Sequence, residues 1–400
     1  MAGRGKFSRY KGAGKRRHGG IPFHKRHRKL IVGFVTVVFL IGLGGTGYAY
    51  MLNAKLKNID KVTVKLKEKD RPDPDKGKAL NVLLLGSDKG KKIAGEAANT
   101  TLSQDAKAAT WPSGKYRSDT IMVVHISADR KHVYLISIPR DSFVMLYDAK
   151  GNPTHKEKTN AAFSYYGPNG VISTVEHLTN LRMSHLAIID WNGFKDLSTA
   201  VGGVPVCIPR EVYDEAQNKL WTAGVHILKG KEALQYVRQR HGLLRGDFDR
   251  IARQQNFLRE LMKKILAGGT MHNPIRLTHT LTALTKNLTV DSDWTPGDMR
   301  GLALSLRSTS ADNVTFMTVP VGAGSVDPVY GDVVNIDQLK SQELFAALKN
   351  DSVTKYLKSN PDLALKPDED DKTGTSTATN GTPSTTTPTA STAACKSAVG

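Results

Sequence analysis

The longest apolar run in the chain is LIVGFVTVVFLIGLGGTGYAYML, residues 30–52, which holds 23 positions without a charge. At a rise of about 1.5 Å per residue, a helix of that length spans a hydrocarbon layer of roughly 30 Å. The run is longer than the roughly 7–15 apolar residues of a cleaved leader, carries Tyr48 and Tyr50 at its far end, and lacks an Ala-x-Ala boundary. It is therefore predicted to be an uncleaved transmembrane helix. Residues 53–78 read as a stalk, with one alternating stretch at Val62, Val64 and Leu66 before Pro72 and Pro74.

The folded domain is predicted to start at Ala79, where ALNVLLL reads as a buried strand ending in Gly86, Ser87 and Asp88. Lys89 to Tyr116 is polar and irregular, a loop or inserted excursion. Strands follow at Thr120–Ile126 and His132–Pro139, joined by a tight turn around Ala128–Lys131. A helix opens at Lys158, Thr159 and Asn160, and a second covers Gly170–Leu181. The strand Leu186–Ile189, the helix Trp191–Ala200 and the strand Val204–Ile208 come next. A polar connector, Arg210–His226, leads to helices at Leu228–Val237 and Phe248–Leu266. Further helices are expected at Pro274–Leu288, Asp298–Leu306 and Ile336–Leu348, with a strand at Val314–Val319 and a Gly-rich turn containing Tyr330. This alternation favours an α/β domain with both sheet faces covered. Beyond Pro367 the chain is rich in Thr, Ser, Pro and Gly and cannot build a core, so 351–400 reads as a disordered polar tail.

Charge sharpens the topology. The net charge is +20, and residues 1–29 contribute 11 Lys or Arg and no acid, ahead of the apolar run. Such a basic head keeps the N-terminus cytoplasmic and contacts anionic membrane lipid, which places the rest of the chain outside the membrane. It argues against nucleic acid as a partner, because the excess charge lies on the cytoplasmic side and the domain's arginines are interleaved with acids. The two cysteines, Cys207 and Cys395, admit a disulfide, but the preferred reading is a buried thiol at Cys207. The sequence holds no zinc spacing, no nucleotide-binding glycine signature and no internal repeat.

The candidate chemistry centres on LQYVRQRHGLLRGDFDRIARQQNF, residues 234–257. Arg250, Arg253 and Gln254 share a helix face, and Arg238 and Arg240 point the same way if the chain between them is extended. Guanidinium forks match phosphate oxygens, so the cluster predicts an anion site, with a solvated basic face as the alternative. If the two strands joined at Ala128–Lys131 are antiparallel, Asp119 and Arg140 reach the same sheet edge. With a pyrophosphate as the anion, Asp88 and Asp119 suffice as magnesium ligands, because Mg²⁺ takes one or two carboxylates and fills its octahedron with water and phosphate oxygens. Asp88 or Asp249 is a candidate base, although Asp247 and Asp249 also read as neutralising neighbours of the arginines. A lipid-linked pyrophosphate would need an apolar cleft beside the charged rim.

The segments VLLLGSD, RSDTIMVVHI, YLISIPRDSFV, KTNAAFSYYG, GGVPV, LKGKEALQYVRQR and DFDRIARQQNFL resemble the extracytoplasmic domain of the LytR-CpsA-Psr family. The resemblance is dense over 79–266 and looser to Leu348. It implies a three-layer α/β/α sandwich around a central mixed sheet, on a single N-terminal transmembrane helix. It also implies a Mg²⁺-dependent transferase that moves an anionic glycopolymer, such as a teichoic acid, from a polyprenyl pyrophosphate carrier to the peptidoglycan of a Gram-positive wall. Carried onto this chain, Asp88 and Asp119 become the metal-linked acids, and Arg117, Arg140, Arg238 and Arg240 the pyrophosphate-binding arginines. Arg250, Arg253 and Gln254 fall on the motif beside the head group. Two departures stand out: Lys89 and Gly90 follow Asp88 where an Arg often comes soon after the acid, and the link 241–246 lengthens the loop before the arginine helix. Competing roles for the same residues are a non-catalytic binder of lipid pyrophosphate or wall polymer, and a lipid pyrophosphatase. The basic, His-bearing N-terminus and the glycine content suit an actinobacterial source.

Overall fold

The structure, a computed structural model, describes residues 50–75, 77–88, 102–108, 110–266, 273–307 and 309–365. The basic head, nearly all of the expected span, half of the 89–116 excursion and most of the tail lie outside the described residues. Among the described residues no helix is long and apolar enough to cross a membrane.

Seven strands form the central sheet: β1 (Asp60–Val62), β2 (Leu80–Asp88), β3 (Arg117–Ile126), β4 (Val133–Ile138), β7 (His185–Asp190), β12 (Leu288–Asp291) and β13 (Val314–Thr318). Their spatial order is β1-β12-β7-β2-β3-β4-β13. The sheet is mixed: β2 runs parallel to β7 and antiparallel to β3, β3 is antiparallel to β4, and β4 is parallel to β13. Strict alternation assigns its side chains to two cores. Leu83, Leu85, Ile121, Val123, Ile136 and Ile138 pack with Phe163, Val171, Ile172 and Leu344 on one face. Met122, Leu135, Val133 and Phe316 pack with Leu258 and Met262 on the other. Helices thus cover both faces of a central mixed sheet, as the α/β reading required. Each fully buried Leu, Ile or Val contributes roughly 1.5–3 kcal/mol through burial.

The first face is covered by α2 (Thr159–Thr179), a helix merged across a kink at Gly167 (φ 66°) and Pro168, which matches the two helical segments expected there. A Cβ on Gly167 would lie 2.8 Å from the Trp111 ring, so the left-handed conformation and the close approach both demand glycine. Trp111 and Tyr116, expected on a loop, pack against Phe163, and the short helix α1 (Leu102–Asp105) buries Leu102. The excursion's second half is therefore part of the core. The opposite face is covered by α3 (Trp191–Ala200), α4 (Gly230–Arg238) and α5 (Asp247–Leu266).

Several expectations need correction. The stalk belongs to the fold: β1 forms the sheet edge, Ile59 and Val62 are buried, and Arg71 pairs with Glu176, which is 1% exposed. The helix from Pro274, α6 (Pro274–Lys286), ends before Leu288, which opens β12 instead. The two later helices appear as α7 (Pro296–Ser305) and α8 (Gln338–Lys349). Packed structure continues past Asn350 through α9 (Val353–Ser359), and Ala364 bridges to Met317. Asp351 accepts a bond from the Ala128 amide (2.9 Å) and lies 3.2 Å from His125 Nε2, tying this segment to the β3–β4 turn. Val204–Ile208 (β8) is not in the main sheet. It pairs with β11 (Gly224–Leu228), while β9 (Val212–Asp214) and β10 (Lys219–Trp221) form a second small ladder from the expected connector. Two more hairpins were not foreseen: β5 (Phe143–Tyr147) with β6 (Pro153–Lys158), and β14 (Val321–Asp327) with β15 (Gly331–Ile336). Cys207 is disulfide-bonded and only half-buried, not a buried thiol; Cys395 lies outside the described residues.

Arg71 Nη2 donates to Glu176 Oε1 at 2.6 Å, and its Nε reaches both carboxylate oxygens at 3.1 and 3.2 Å. Removing one partner of a buried pair strands the other charge, which costs about 3–5 kcal/mol. Arg71→Ala is therefore expected to lower the midpoint of urea denaturation by that equivalent. An unchanged midpoint would mean that the segment preceding Ala79 is not part of the cooperative fold.

Candidate active site

The register of the β3–β4 hairpin places the first pair of site residues. Ile121 is opposite Ile138, so two steps further along each chain bring Asp119 and Arg140 face to face beyond the last ladder pair. Arg140 Nη1 donates to Asp119 Oδ1. No other hydrogen bond involves the second oxygen of Asp119 among the described residues. Because β2 and β7 run antiparallel to β3, their C-terminal residues Asp88 and Asp190 end at the same side of the sheet.

Helices α4 and α5 bring the remaining guanidinium groups to this edge. Arg238 is the last residue of α4, Gln239 is extended (φ −59°, ψ 134°), and Arg240 follows. Alternation sends Gln239 inward, where it is fully buried and accepts from Arg253 Nη1, while its neighbours turn outward. Arg238 stacks its guanidinium 5.1 Å from the Trp191 ring centre, a cation–π contact that orients it. Asp247 sits at the N-terminus of α5, where the helix dipole favours an anion. Its Oδ1 lies 2.7 Å from Arg250 Nη2, 3.5 Å from Arg240 Nε and 3.7 Å from Arg140 Nε. One carboxylate thus holds three guanidinium groups together.

Asp119, Arg140, Trp191, Arg238, Arg240, Arg250 and Gln254 line a cleft of about 380 Å³, its open mouth included. Next to it lies an apolar cavity of about 490 Å³, again with its mouth, lined by Leu84, Gly86, Thr120, Ile189, Phe194, Val237 and Leu258 among others. Trp191 and Gln254 belong to both walls. Burial raises the Asp247 carboxyl above the usual range, against the pull of Arg250, Arg140 and Arg240. Burial lowers the Arg250 guanidinium, and its like-charged neighbours Arg140 and Arg240 add to that effect while Asp247 and Asp119 oppose it. Arg140 would also be lowered by burial, but Asp119, Asp141 and Asp247 around it leave it raised. The cleft is a partly desolvated, net cationic site in which Asp119, Asp141 and Asp247 offset part of the charge.

Of the residues expected to bind the anion, Arg140, Arg238, Arg240, Arg250 and Gln254 line the cleft together with Asp119. Arg253 does not. Three residues along a helix leave it about 60° behind Arg250, whereas Gln254 runs only about 40° ahead. Arg253 stacks 4.8 Å from the Tyr236 ring centre and lines a separate cavity with Arg210, Asp249 and Leu243. Arg117 stands exposed at the start of β3, outside the cleft lining. The Asp88 backbone is paired with Arg117 at the sheet edge, and its side chain lies outside the described residues. Asp249 is not positioned as a base at the cleft, because its carboxylate is bonded to Arg245 Nε at 2.7 Å and to the Arg245 amide at 2.8 Å. Trp191 was foreseen only as a helix start. Its position one residue beyond the strand end at Asp190 was the available signal.

The model of the LytR_cpsA_psr family matches residues 46–350. The chain belongs to that family. Among related LytR_cpsA_psr proteins, it is 32% identical over 283 residues to the cell wall biosynthesis protein LcpA of Corynebacterium glutamicum, a match covering 65% of this chain and 53% of LcpA. The chain thus spans about half the length of that relative. It is 28% identical over 283 residues to the polyisoprenyl-teichoic acid–peptidoglycan teichoic acid transferase TagU of Enterococcus faecalis, covering 70% and 82% of the two chains. The crystal structure of Bacillus subtilis TagV superposes with a TM-score of 0.55 at 23% identity, over 70% of this chain and 98% of that one, and establishes the shared fold.

Because the Asp247 carboxylate offsets charge on Arg140, Arg240 and Arg250, Asp247→Asn, which keeps the side chain's size, should leave a more cationic cleft. Inorganic pyrophosphate is then expected to bind about tenfold or more tightly than to the parent protein, given one unit charge removed within about 4 Å. Isothermal titration at low ionic strength measures this. Equal affinities would show that the anion does not enter this cleft.

Proposed function

We propose that this LytR_cpsA_psr protein is a membrane-anchored, Mg²⁺-dependent phosphotransferase that moves an anionic glycopolymer from a polyprenyl pyrophosphate carrier to a sugar hydroxyl of peptidoglycan. The observation that carries this reading is the shared wall of Trp191 and Gln254 between a cationic cleft and an apolar cavity. A diphosphate attached to an isoprenoid chain is a ligand that needs both compartments side by side. The apolar run 30–52 and the basic head before it support an anchor with its N-terminus in the cytoplasm and the α/β domain beyond the membrane. The transferase name carried by TagU supports the donor and acceptor classes.

In this reading Arg140, Arg238, Arg240 and Arg250 grip the non-bridging oxygens of the diphosphate. The acceptor hydroxyl oxygen bonds to the phosphorus nearest the glycopolymer as the bond to polyprenyl phosphate breaks, its proton passes to solvent water, and the guanidinium groups stabilise the charge that moves to the departing oxygen. Asp119, with one oxygen outside any hydrogen bond among the described residues, fits a one- or two-carboxylate Mg²⁺ site, with Asp88 the second candidate from the same sheet edge. Magnesium held there would offset negative charge on the phosphate oxygens. The remaining protein groups act by position: Trp191 fixes Arg238, and Gln239, braced by Arg253, sets the splay of Arg238 and Arg240.

Reconstituted transfer of lipid-linked polymer to peptidoglycan is expected to fall by about two orders of magnitude or more in Arg238→Ala and in Asp119→Ala. It should stop on chelation and return with added Mg²⁺. Transfer at the parent rate in both variants would sink the assignment. Release of polymer into solution without an acceptor would identify a pyrophosphatase, and tight donor binding with no turnover a binding module.

Leu258 lines the apolar cavity from α5. Leu258→Trp fills that space and is expected to weaken binding of a long-chain polyprenyl pyrophosphate about tenfold while leaving inorganic pyrophosphate affinity unchanged. Parallel loss of both affinities would place the lipid elsewhere.

A further inference from the structure

On the other side of Arg140 from the apolar cavity, the structure carries a group of aromatic residues that the transfer chemistry described so far does not use. His155 and Glu157, two residues apart, share one face of β6, Tyr165 rises from the first part of α2, and Tyr330 lies in the turn between β14 and β15. The His155 and Tyr330 rings are 6.5 Å apart and stacked at 23°, and His155 lies 6.4 Å from Tyr165. Phe143 backs Tyr330 at 6.1 Å. These rings are not core: Tyr165 is 40% exposed and the His155 side chain 42%. Beneath them Glu157, only 8% exposed, accepts from the Tyr165 hydroxyl at 3.5 Å and lies 3.1 Å from His155 Nε2. A buried carboxylate with two oxygens and about four lone-pair sites keeps acceptor capacity beyond these two partners.

We propose that this aromatic shelf is the subsite that holds the glycan strand of the peptidoglycan acceptor, an inference that rests on the transferase reading above. Exposed ring faces pack against the C–H face of a pyranose, and the carboxylate and imidazole at their edge bond its hydroxyl and amide groups. Two ion pairs link the end of β6 to the reacting centre. Lys158, next to Glu157, lies 3.8 Å from Asp141, and Asp141 lies 3.4 Å from Arg140 Nε. The two faces of the sheet separate the substrates. The apolar cavity opens between α3, α5 and the side chains of Leu84 and Thr120, whereas β5, β6 and α2 belong to the opposite face, with Leu83, Leu85 and Ile121. In an in-line displacement the incoming oxygen and the departing polyprenyl phosphate lie on opposite sides of phosphorus. A donor lipid on one face of the sheet therefore calls for the acceptor to approach from the other, where the shelf lies. The donor's own glycan is the rival occupant of the same chemistry, and the approach geometry favours the acceptor.

The test uses the full chain in detergent, with Tyr165→Ala and Tyr330→Ala, the ring-retaining Tyr165→Phe and Tyr330→Phe, and His155→Ala. Thermal melting first confirms that each variant is folded. Direct binding is read with soluble, phosphate-free peptidoglycan glycan fragments, and with a phosphate-bearing glycan fragment of the donor. The proposal expects peptidoglycan fragments to bind the parent and both Phe variants equally and the Ala variants about tenfold more weakly, with inorganic pyrophosphate affinity unchanged throughout. In the transfer assay the same Ala variants should raise KM for the acceptor with the donor KM unmoved. Equal acceptor binding in parent and Ala variants overturns the shelf while leaving the transferase reading intact. Weakened binding of the donor fragment alone reassigns the shelf to the donor and also overturns the proposal. Because fragment binding is read without turnover, failure of the transferase reading appears separately, as a parent protein that binds glycan but transfers nothing.

Discussion

Four guanidinium groups are held within one cleft, and the mutual repulsion of those groups is the constraint that the site's architecture answers. Like charges a few ångströms apart in a partly desolvated site cost several kcal/mol unless anions stand between them. Asp247 supplies one such anion, touching Arg140, Arg240 and Arg250 from the N-terminus of α5. Asp119 and Asp141 supply others through Arg140. The offset is incomplete, so the cleft keeps a net positive field that favours an anion. The arrangement is also preorganised, with the cost of gathering the arginines met in folding and not at each encounter with an anion.

The fold produces this gathering through strand direction. Antiparallel β3 and β4 bring Asp119 and Arg140 to one edge by register alone, and the parallel pair β2 and β7 ends its C-termini there too. Helices α4 and α5 then meet the same edge, one by its last residue and the other by its first, which brings Arg238, Arg240 and Asp247 together there. The apolar cavity is a by-product of the same packing, because α3 and α5 cross the sheet near Gly86, where the small residue leaves space over β2. A Cβ there would approach Thr120 to 3.0 Å.

Much of this was legible in the chain. The β3–β4 hairpin could be counted residue by residue because both strands are apolar and their turn is short, and the Arg238–Gln239–Arg240 alternation predicted a shared direction that the extended backbone bears out. Arg253 was misread because grouping residues at three- and four-step spacing treats a helix face as wider than the cleft it meets. The PTHKEK and VGAGSVD strands carry no apolar period, since both are mostly exposed and the burial in each hairpin comes from the partner strand, through Val144 and Leu146 on β5 and Val333 and Ile336 on β15. The edge strand at Asp60–Val62 and the segment after Asn350 were hidden for a related reason. Each is short, and each is held by long-range bonds such as Arg71 to Glu176 and Asp351 to the β3–β4 turn, which local composition does not reveal.

The most direct test of the account is a crystal structure of the protein with a polyprenyl pyrophosphate bound. The account predicts diphosphate oxygens within hydrogen-bonding distance of Arg140, Arg238, Arg240 and Arg250, with the isoprenoid chain running past Trp191 into the cavity lined by Leu84, Phe194 and Leu258. A diphosphate seated instead beside Arg253 and Arg210, or a chain lying outside that cavity, would contradict it.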